Sequence, residues 1–500
     1  MITRILVLGG GSAGFLAALT LKYRNPQVRV LVLRSKDIGI IGVGEGTTLP
    51  VVSHLHEYLR IDPAEFCRIA QPTWKIGVRF LAWGPRHHFD YALGTQFDLR
   101  LPGLSKGPAY YCQDVLECGL LSLLMTHDRV FPRRSDGLPH ITRDPAYHIE
   151  NEHFVTFLEQ YARRLGVEIA DDTVLEVKQD ENGIAALVLA SGATLTADLY
   201  VDASGFRSVL LGQTLAEPFC NFKSSLFDDR AVVGGWDRTD ETIKSYTTAE
   251  TMNSGWCWQI EHEHRINRGY VYSSDFIADD EAEREFRSKN PKVGATRVVK
   301  FITGRYERPW VKNVVAIGNS SGFVEPLEST SLGVICLDSF ALAESLADCD
   351  LVVRPTQVRL YNRRSAILWD VIRSFLAIHF KFNTNLHTPY WRACVQDADL
   401  CEGEEYVQYY KENGPSTLWR GLVLDPRNPF GIEGYLSMMI GMNVPYHKTY
   451  TPATQEIQVW NDIYQRLQSA ASQAVTVKEA LDCIRRPGWQ WPANLYKTGV

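Results

Sequence analysis

The amino-acid sequence predicts an α/β fold class, in which a doubly wound sheet carries an inserted β-rich region and is followed by a helical module. Three observations predict it. Residues 4–33 alternate strand, glycine turn, helix and strand, residues 211–300 hold short alternating apolar runs with many aromatics, and the pattern after residue 333 is helical. We therefore predict one module over 1–350, with the β-rich insertion at about 211–300, and a mainly helical substrate-binding module over 351–500.

The N-terminal segment predicts one βαβ unit. "RILVL" is typical of a buried parallel strand, "FLAALTLKYR" of a helix and "VRVLVL" of a second strand. The turn between them fits G-x-G-x-x-G: Gly9 permits the tight turn, Gly11 lets a pyrophosphate approach the backbone, and Gly14 lets helix and strand pack closely. Ser12 and Ala13 lie at the helix N-terminus, which would face the phosphates. The alternative is a glycine turn without function.

One position departs from this dinucleotide pattern. The second strand usually ends near an acidic residue that binds the ribose, about twenty residues further on. Arg34 and Ser35 occupy that place here, and neither can act as a carboxylate does.

The middle of the chain predicts an inserted ribbon and further strand-to-turn junctions. Residues 140–166 contain a long amphipathic helix, and Asn182-Gly183 and Ser191-Gly192 separate alternating runs as hairpin turns do. "LYVDASG" ends a strand at Asp202, and "VVAIGNSSG" ends another at Gly318. Flavoproteins use such late turns for the ribityl chain and pyrophosphate, so the order favours an FAD-binding Rossmann-like domain over an NAD domain. Two ordinary strand ends are the alternative.

Composition excludes several classes. The net charge of −6 gives no support for nucleic-acid binding. The 10 cysteines have no metal-ligand spacing and indicate reduced thiols in a cytoplasmic protein. No apolar run reaches about 18 residues, so we expect no membrane association. We reject a signal peptide at the N-terminus because glycines interrupt its apolar run and charged residues follow at once.

The stretch "TWKIGVRFLAWG" at 73–84 alternates like a strand and contains Lys75. One face of that strand would carry Trp74, Ile76, Val78 and Phe80, and the other face would carry Lys75. The plain interpretation is a half-buried strand with a solvated basic face, because lysine is rarely buried unless it is paired or used.

Four segments and a C-terminal pair, in order along the chain, resemble the tryptophan-halogenase family of flavin-dependent halogenases. They are "GVGEGTTLP" at 42–50, "TWKIGVRFLAW" at 73–83, "GWCWQI" at 255–260, "GFVEPLESTSLG" at 322–333, and the C-terminal pair "HFKFNTNLHTPYWRA" and "FGIEGYLSMMIGMNVPY". The resemblance runs from the N-terminus to at least residue 445.

The resemblance implies a reaction and a set of site residues. Hypohalous acid, formed with reduced FAD (FADH2), oxygen and chloride or bromide, would be relayed to Lys75, which falls on the family's catalytic lysine. Free hypohalous acid would oxidise Met and Cys, and a lysine in a dry site can serve as proton donor or nucleophile. Gly77 would leave room for a substrate ring. The implied FAD-binding residues are those of the glycine turns together with Gly44, Glu45, Ser329 and Thr330.

Glu328 falls on the family's catalytic carboxylate. Electrophilic aromatic substitution gives a cationic ring that must lose a proton, and a nearby carboxylate stabilises the cation and takes the proton. Ser329 would link the flavin side to the substrate side. Glu325 is the alternative assignment, and a structural pair or helix cap at Glu328 is the plain one.

The sequence departs from the family signature at Glu261, where a proline is usual. Trp256 and Trp258 would share a strand face near the flavin and keep organic substrate away from it. The cluster "EHEH" at 261–264 does not converge well enough for a metal, so we predict none. The departure keeps open an FAD-dependent aromatic monooxygenase, and a non-enzymatic flavin-binding protein is a third reading.

The substrate and the partners are the least defined. The loop after the lysine strand and the C-terminal helices offer side chains that could contact a ring, namely His87, His88, Phe89, Tyr91, Trp391, Tyr435 and Met439. We expect an electron-rich indole or phenol rather than free tryptophan, because the C-terminal part is short for enzymes of free tryptophan. Reduced FAD would come from a separate NAD(P)H-dependent flavin reductase. The choice between monomer and homodimer stays open.

Overall fold

The computed structural model describes residues 1–36, 38–39, 44–112, 117–447 and 450–496. The strands are β1 (Arg4–Leu8), β2 (Arg29–Arg34), β3 (Glu45–Gly46), β4 (Thr73–Lys75), β5 (Gly77–Leu81), β6 (His88–Ala92), β7 (Ala146–Ile149), β8 (Glu168–Asp171), β9 (Val174–Asp180), β10 (Gly183–Leu189), β11 (Thr194–Leu195), β12 (Leu199–Asp202), β13 (Phe219–Asn221), β14 (Arg230–Asp237), β15 (Tyr246–Met252), β16 (Gly255–Glu261), β17 (Arg265–Tyr272), β18 (Arg297–Lys300), β19 (Gly304–Tyr306), β20 (Trp310–Val311), β21 (Val314–Ala316) and β22 (Gly322–Phe323). The helices are α1 (Ser12–Arg24), α2 (Leu49–Val52), α3 (Pro63–Ala70), α4 (Leu120–Thr126), α5 (Asn151–Arg164), α6 (Asp279–Lys289), α7 (Ser331–Asp348), α8 (Pro355–Lys381), α9 (Pro389–Asp397), α10 (Gly403–Asn413), α11 (Arg420–Val423), α12 (Gly431–Gly441), α13 (Thr454–Ser472) and α14 (Val477–Ile484).

The chain divides into two units, and each takes three separate segments. Unit 1 consists of Met1–Gln71, Ile149–Phe222 and Phe301–Asp370, and unit 2 of Pro72–His148, Lys223–Lys300 and Val371–Val500. This division differs from the sequence-based one at residue 350. The reason is that strands far apart in the chain pair within each unit, as β1 does with β12, and such pairing leaves no local mark in the sequence.

Unit 1 is built on a six-stranded sheet. Its order is β20-β21-β12-β1-β2-β8, and all neighbours are parallel except the edge pair β20–β21. Leu6, Leu33 and Tyr200 lie in the buried apolar layer beneath it. The βαβ unit predicted at residues 4–33 is confirmed as β1, α1 and β2. The predicted ribbon is the antiparallel sheet β11-β10-β9.

Unit 2 is built on a seven-stranded sheet. Its order is β18-β14-β17-β16-β15-β5-β6, with one parallel pair, β15–β5. Residues 223–300 supply five of these strands, which confirms the β-rich region, and α6 interrupts it. A separate antiparallel pair joins β4 to β7.

One predicted element is wrong at its start. The helix expected within residues 140–166 begins only at Asn151, because Ala146–Ile149 form β7 and pair with β4. The four residues Ala146–Ile149 are compatible with a helix or with a strand, and pairing with β4 is what makes them a strand. Within the described part of the chain, none of the helices combines the length and apolarity that crossing a membrane needs.

Candidate active site

Three strand ends in unit 1 bring the predicted glycine turns together. β1, β12 and β21 are parallel neighbours, so their carboxyl ends lie at one edge of the sheet. Gly9 follows β1 with φ of 130°, and a Cβ there would lie 2.2 Å from the Ala203 carbonyl oxygen. Only glycine permits this conformation and this close approach of two backbones.

The other two glycines of the first turn have different surroundings. A Cβ at Gly14 would lie 1.9 Å from the Gly9 carbonyl oxygen, so Gly14 permits the close packing of α1 against β1. A Cβ at Gly11 would meet nothing within 4 Å. Gly11 is also the residue before α1, whose N-terminus carries Ser12 and Ala13. Open space at a helix N-terminus suits the pyrophosphate of FAD.

The turn at Gly318 contacts both other turns. Gly318 has φ of 71°, and a Cβ there would lie 2.9 Å from Ala13 Cβ. Ser208 Oγ donates to the Ser320 carbonyl at 2.9 Å, and Ser320 Oγ donates to the Gly205 carbonyl at 3.1 Å. The structure therefore assembles at one sheet edge the turns that the sequence predicts for FAD.

Asp202 lies in this assembly, but its carboxylate is used within the protein. One oxygen accepts hydrogen bonds from the Ser204 amide and hydroxyl, and the other from the amides of Leu210 and Leu211. The residue is fully buried. Its visible role is to shape the turn after β12, and direct contact with a cofactor stays a prediction.

Arg34 occupies the place where a ribose-binding acid is usual, and ion pairs explain it. Its guanidinium bonds Glu159 at 2.5 Å and Asp171 at 2.7 Å. Its aliphatic stem covers Gly10, where a Cβ would lie 2.6 Å from Arg34 Cβ. Arg34 thus closes this edge of unit 1 instead of presenting a charge to a ribose.

The segment 44–48 lies against the start of α7. Gly44 has φ of 71°, and a Cβ at Gly333 would lie 2.9 Å from Thr48 Oγ1. Glu45 accepts a hydrogen bond from Asn151 Nδ2 at 3.1 Å, and desolvation raises its pKa to about 7. Gly42 and Val43, which begin the predicted flavin-contacting loop, lie outside the described residues.

Glu328, Ser329 and Thr330 form the turn that leads into α7. Glu328 ends a 3-10 turn, and Ser329 has φ of 57°, an uncommon left-handed conformation for a residue with a side chain. A Cβ at Gly318 would lie 3.3 Å from Ile335, so α7 also packs on the Gly318 turn. Glu325 is as buried as Glu328, so burial does not choose between the two carboxylates.

Lys75 ends β4 in unit 2 and is fully buried, with 0% of its surface exposed. The plain interpretation of a solvated basic face is therefore wrong. Arg79, two alternations further on, is also withdrawn from solvent. It bonds both oxygens of buried Asp90 at 2.8 Å and the Tyr246 hydroxyl at 2.8 Å.

The expectation that Gly77 leaves room for a substrate ring is wrong. A Cβ there would lie 2.5 Å from Met125 Sδ and 2.6 Å from the Tyr91 carbonyl oxygen. Met125 and the neighbouring strand β6 fill the space that a side chain at this position would need.

Trp256 and Trp258 lie on β16, both buried, with ring centroids 6.1 Å apart. The shared strand face is thus confirmed. A Cβ at Gly269 would overlap the Trp258 ring, at 2.0 Å, so close packing also holds these rings in place.

Glu261, in place of the signature proline, forms a buried ion pair. Arg238 Nη2 donates to Glu261 Oε2 at 2.5 Å, and Gln259 Nε2 donates to the other oxygen at 2.5 Å. Neighbouring Glu263 pairs instead with Arg485 near the surface. Among the described residues, three potential metal ligands approach one another at His88, Asp90 and Glu117 but not at 261–264, and Arg79 already holds both Asp90 oxygens.

The aromatic side chains proposed for substrate binding mostly pack inside unit 2. Phe89 stacks on Phe80 with centroids 4.9 Å apart, and Trp391 Nε1 donates to the Met252 carbonyl at 2.7 Å. Tyr435 and Met439 are buried on α12. The neighbourhood of Phe89, Tyr91 and these residues is therefore core, while His87 and His88 are more exposed.

Sequence reasoning missed two polar groups in unit 2, the buried His148 and the half-buried Glu433. His148 lies on β7 directly opposite Thr73 on β4, and its position was assigned to a helix. Glu433 on α12 accepts hydrogen bonds from the backbone amides of Gln96, Phe97 and Asp98, which orders the loop after β6. The register of β4 against β7 was the missing information for His148, and no local pattern supplies it.

Unit 1 brings glycine-containing turns together at the carboxyl ends of β1, β12 and β21, and unit 2 buries Lys75 at the end of β4. The model of the family described as tryptophan halogenase matches residues 4–457, and the chain belongs to that family. It is 35% identical over 456 residues to the tryptophan 7-halogenase KtzQ of Kutzneria sp. (strain 744), covering 83% of each chain.

Two solved structures give the same result. The lanthipeptide tryptophan 5-halogenase MibH is 37% identical, with a TM-score of 0.87 over 96% of this chain and 93% of that one. The flavin-dependent tryptophan C-6 halogenase Tar14, a chlorinase, is 26% identical, with a TM-score of 0.86 over 97% and 100%. The protein is therefore an enzyme that uses FAD and a halide to halogenate an aromatic substrate. These findings favour halogenation over hydroxylation and over a non-enzymatic role.

Proposed function

We propose that this halogenase transfers chlorine or bromine from hypohalous acid to an electron-rich aromatic carbon through Lys75. The observation that carries the proposal is the complete burial of Lys75 at the end of β4. A lysine without solvent must be paired or used, and an amine can hold hypohalous acid by hydrogen bonding or as a haloamine. Glu328 is proposed to stabilise the cationic ring and to accept its proton.

The cofactor proposal rests on the turns of unit 1. Gly11 supplies open space at the N-terminus of α1, and Gly9, Gly14 and Gly318 permit the backbone approaches that form the cradle. When bound, FAD supplies the two-electron chemistry with oxygen that yields the oxidised halogen. The residues proposed to hold it are Gly9, Gly11, Ser12, Ala13, Gly14, Gly44, Glu45, Asp202, Gly318, Ser329 and Thr330.

The substrate is proposed to be an indole-type ring. KtzQ and MibH are named for tryptophan, and MibH for a lanthipeptide. A tryptophan within a peptide is a second candidate. It is favoured by the apolar side chains of Leu418, Trp419 and Leu422, which are more than half exposed in unit 2 and offer contact area beyond a single ring.

The partners and the compartment are further parts of this proposal. We propose a separate NAD(P)H-dependent flavin reductase. Among the described residues we find one Rossmann-like motif, at 4–34, and that motif is proposed to bind FAD rather than NAD(P)H. All ten cysteines are free thiols, which supports a cytoplasmic location. Chloride and bromide are both kept as halides. We also propose that the enzyme works without a membrane. Light scattering of the purified enzyme would decide between monomer and homodimer.

A turnover assay tests the reaction. The protein would be mixed with FAD, a flavin reductase, NADH, oxygen and bromide, and offered indoles, phenols, free tryptophan and tryptophan peptides. Mass spectrometry should show the bromine isotope doublet for wild type and for Lys300→Ala, an exposed lysine of the same unit. Lys75→Ala should lose the doublet while flavin reoxidation continues. A doublet that survives in Lys75→Ala, or an added oxygen without bromine, would overturn the proposal.

A matched pair of variants tests the carboxylate assignment. Glu328→Gln should lower the rate by about 10²-fold or more, because an amide cannot accept the ring proton, and Glu325→Gln should act less. Both variants are measured by the rate at which the brominated product, identified by its bromine isotope doublet, forms at saturating substrate. The reverse ranking would move the role to Glu325.

A further inference from the structure

A cluster of metal-ligating side chains lies at the edge of the seven-stranded sheet in unit 2. β6 is the edge strand, and it pairs with β5 so that Asp90 lies directly opposite Arg79. His88 and Asp90 are two residues apart on β6, so their side chains project to the same face of the sheet. Glu117, in the segment before α4, completes the cluster.

The three side chains converge to within reach of one ion. A ring nitrogen of His88, a carboxylate oxygen of Asp90 and one of Glu117 all lie within 4.8 Å of one another. Ligands about 2.1 Å from a shared Zn²⁺ ion lie about 3.5 Å apart in tetrahedral geometry, so movements on the order of 1 Å close the cluster around an ion. Asp90 is 1% exposed, whereas His88 and Glu117 are half-buried, so solvent rather than packing borders part of their surface.

Tertiary packing brings the third ligand to the strand. The start of α4 lies against the segment that follows β6, since a Cβ at Gly119 would lie 2.8 Å from Gln96 Cβ. A Cβ at Gly94 would likewise lie 2.8 Å from Leu121 Cδ1. Glu117 therefore meets His88 and Asp90 although it is distant from them in the sequence, and no local motif marks the site.

The ion pair of Asp90 with Arg79 leaves ligand positions on the carboxylate. A carboxylate has about four lone-pair sites, and a bidentate arginine uses two of them. Arg79 supplies one positive charge against the two carboxylates of Asp90 and Glu117, and this leaves an excess of negative charge beside the His88 imidazole. That excess attracts a cation, and imidazole together with carboxylate oxygens is a donor set that Zn²⁺ accepts.

We propose that His88, Asp90 and Glu117 bind one divalent first-row transition ion, of which Zn²⁺ is the probe. The ion would tie the segment before α4 to the edge strand β6. His87 Nδ1 lies 3.4 Å from His88 Nδ1, so a further imidazole is available at the rim of the site. The histidine sets the selectivity, because Mg²⁺ prefers oxygen ligands in octahedral geometry. This site does not depend on the role proposed for Lys75.

Calorimetric titration of the untagged, FAD-loaded enzyme tests the site after dialysis against a chelator. Wild type should bind one Zn²⁺ ion, with a melting temperature that rises with Zn²⁺ concentration. Mg²⁺ should bind at least about tenfold more weakly, because it takes imidazole nitrogen poorly. His88→Gln and Glu117→Gln should each weaken Zn²⁺ binding by about tenfold or more, since each removes one ligand.

Two choices keep these variants interpretable. Asp90 is left in place, because its removal would leave the guanidinium of Arg79 without its buried carboxylate. His140→Gln is the matched control, since His140 is an exposed histidine of the same unit and should not affect the site. X-ray absorption at the zinc edge should show nitrogen and oxygen ligands without sulfur.

Four results would overturn the proposal. They are the absence of Zn²⁺ binding to wild type, equal affinity for Zn²⁺ and Mg²⁺, Zn²⁺ binding that neither ligand variant weakens, and an equal loss in His140→Gln. Sulfur in the zinc shell would also contradict it, because the ion would then be held by some of the free cysteines.

Discussion

The two units build their candidate site residues in different ways. Unit 1 uses backbone turns, where Gly9, Gly14 and Gly318 allow chain segments to approach within distances that no Cβ permits. Unit 2 uses buried polar side chains: Lys75 lies on β4, which pairs with β7, His148 lies opposite Thr73, and Glu261 is bound by Arg238 and Gln259. The difference teaches that a backbone-built site depends on single residue types, whereas a site of buried charges depends on pairs.

The largest expected effect tests the dependence of unit 2 on pairs. Glu261→Ala leaves Arg238, whose side chain is 6% exposed, without its carboxylate. Breaking a buried ion pair on one side costs about 3–5 kcal/mol of unfolding free energy. Denaturant titration followed by tryptophan fluorescence would measure the loss. The double variant with Arg238→Met should recover part of it, and a loss below about 1 kcal/mol would show that water reaches the pair.

The next effect tests the dependence of unit 1 on glycine. Gly14→Ala places a Cβ 1.9 Å from the Gly9 carbonyl oxygen, so the backbone must shift, at a cost of about 2–3 kcal/mol. Gly11→Ala is the matched control, since a Cβ there meets nothing within 4 Å. It should keep the stability within about 0.5 kcal/mol and weaken FAD binding. Calorimetric melting and FAD titration distinguish the two, and equal destabilisation would refute the distinction.

A smaller effect concerns the pH dependence of unit 1. Burial raises the pKa of Glu45 to about 7, above its value in the unfolded chain, so folding favours the protonated form. Stability should therefore fall by about 3 kcal/mol as pH rises from about 4.5 through 7, and then level off above about pH 8. Glu45→Gln should flatten that slope.

The matched control for the pH prediction is Glu181→Gln, at an exposed position of the same unit. It should leave the slope unchanged. Melting at half-unit pH steps would measure all three proteins, and an unaltered slope in Glu45→Gln would show that another group causes it.

The smallest effect sharpens the comparison within unit 2. Glu263 and Arg485 form an ion pair two residues from Glu261, but the Arg485 side chain is 46% exposed. Exposed pairs contribute about 0–1 kcal/mol, so Arg485→Ala should change stability far less than Glu261→Ala. The same denaturant titration measures both variants. Similar losses would mean that burial does not set the value of these pairs.

The sequence predictions were accurate for features that depend on neighbouring residues and less accurate for features that depend on distant ones. The βαβ unit, the hairpins at Asn182-Gly183 and Ser191-Gly192, and the β-rich region are local patterns, and the structure confirms them. The strand at Ala146–Ile149 was missed, because four residues before a helix carry too little periodicity. Gly77 was misinterpreted, since only the packing of Met125 shows what fills the space beside it.

The sequence by itself determined the fold class, the family and the positions of the glycine turns, because each depends on residues close together in the chain. The tertiary structure decided which segments make up each unit, that Lys75 is wholly buried, and that Glu261 and Arg34 are paired. It also decided that His148 lies opposite Thr73 on a strand beside Lys75. The physical reason is that strand register and burial depend on contacts between residues far apart in sequence, which no local pattern encodes.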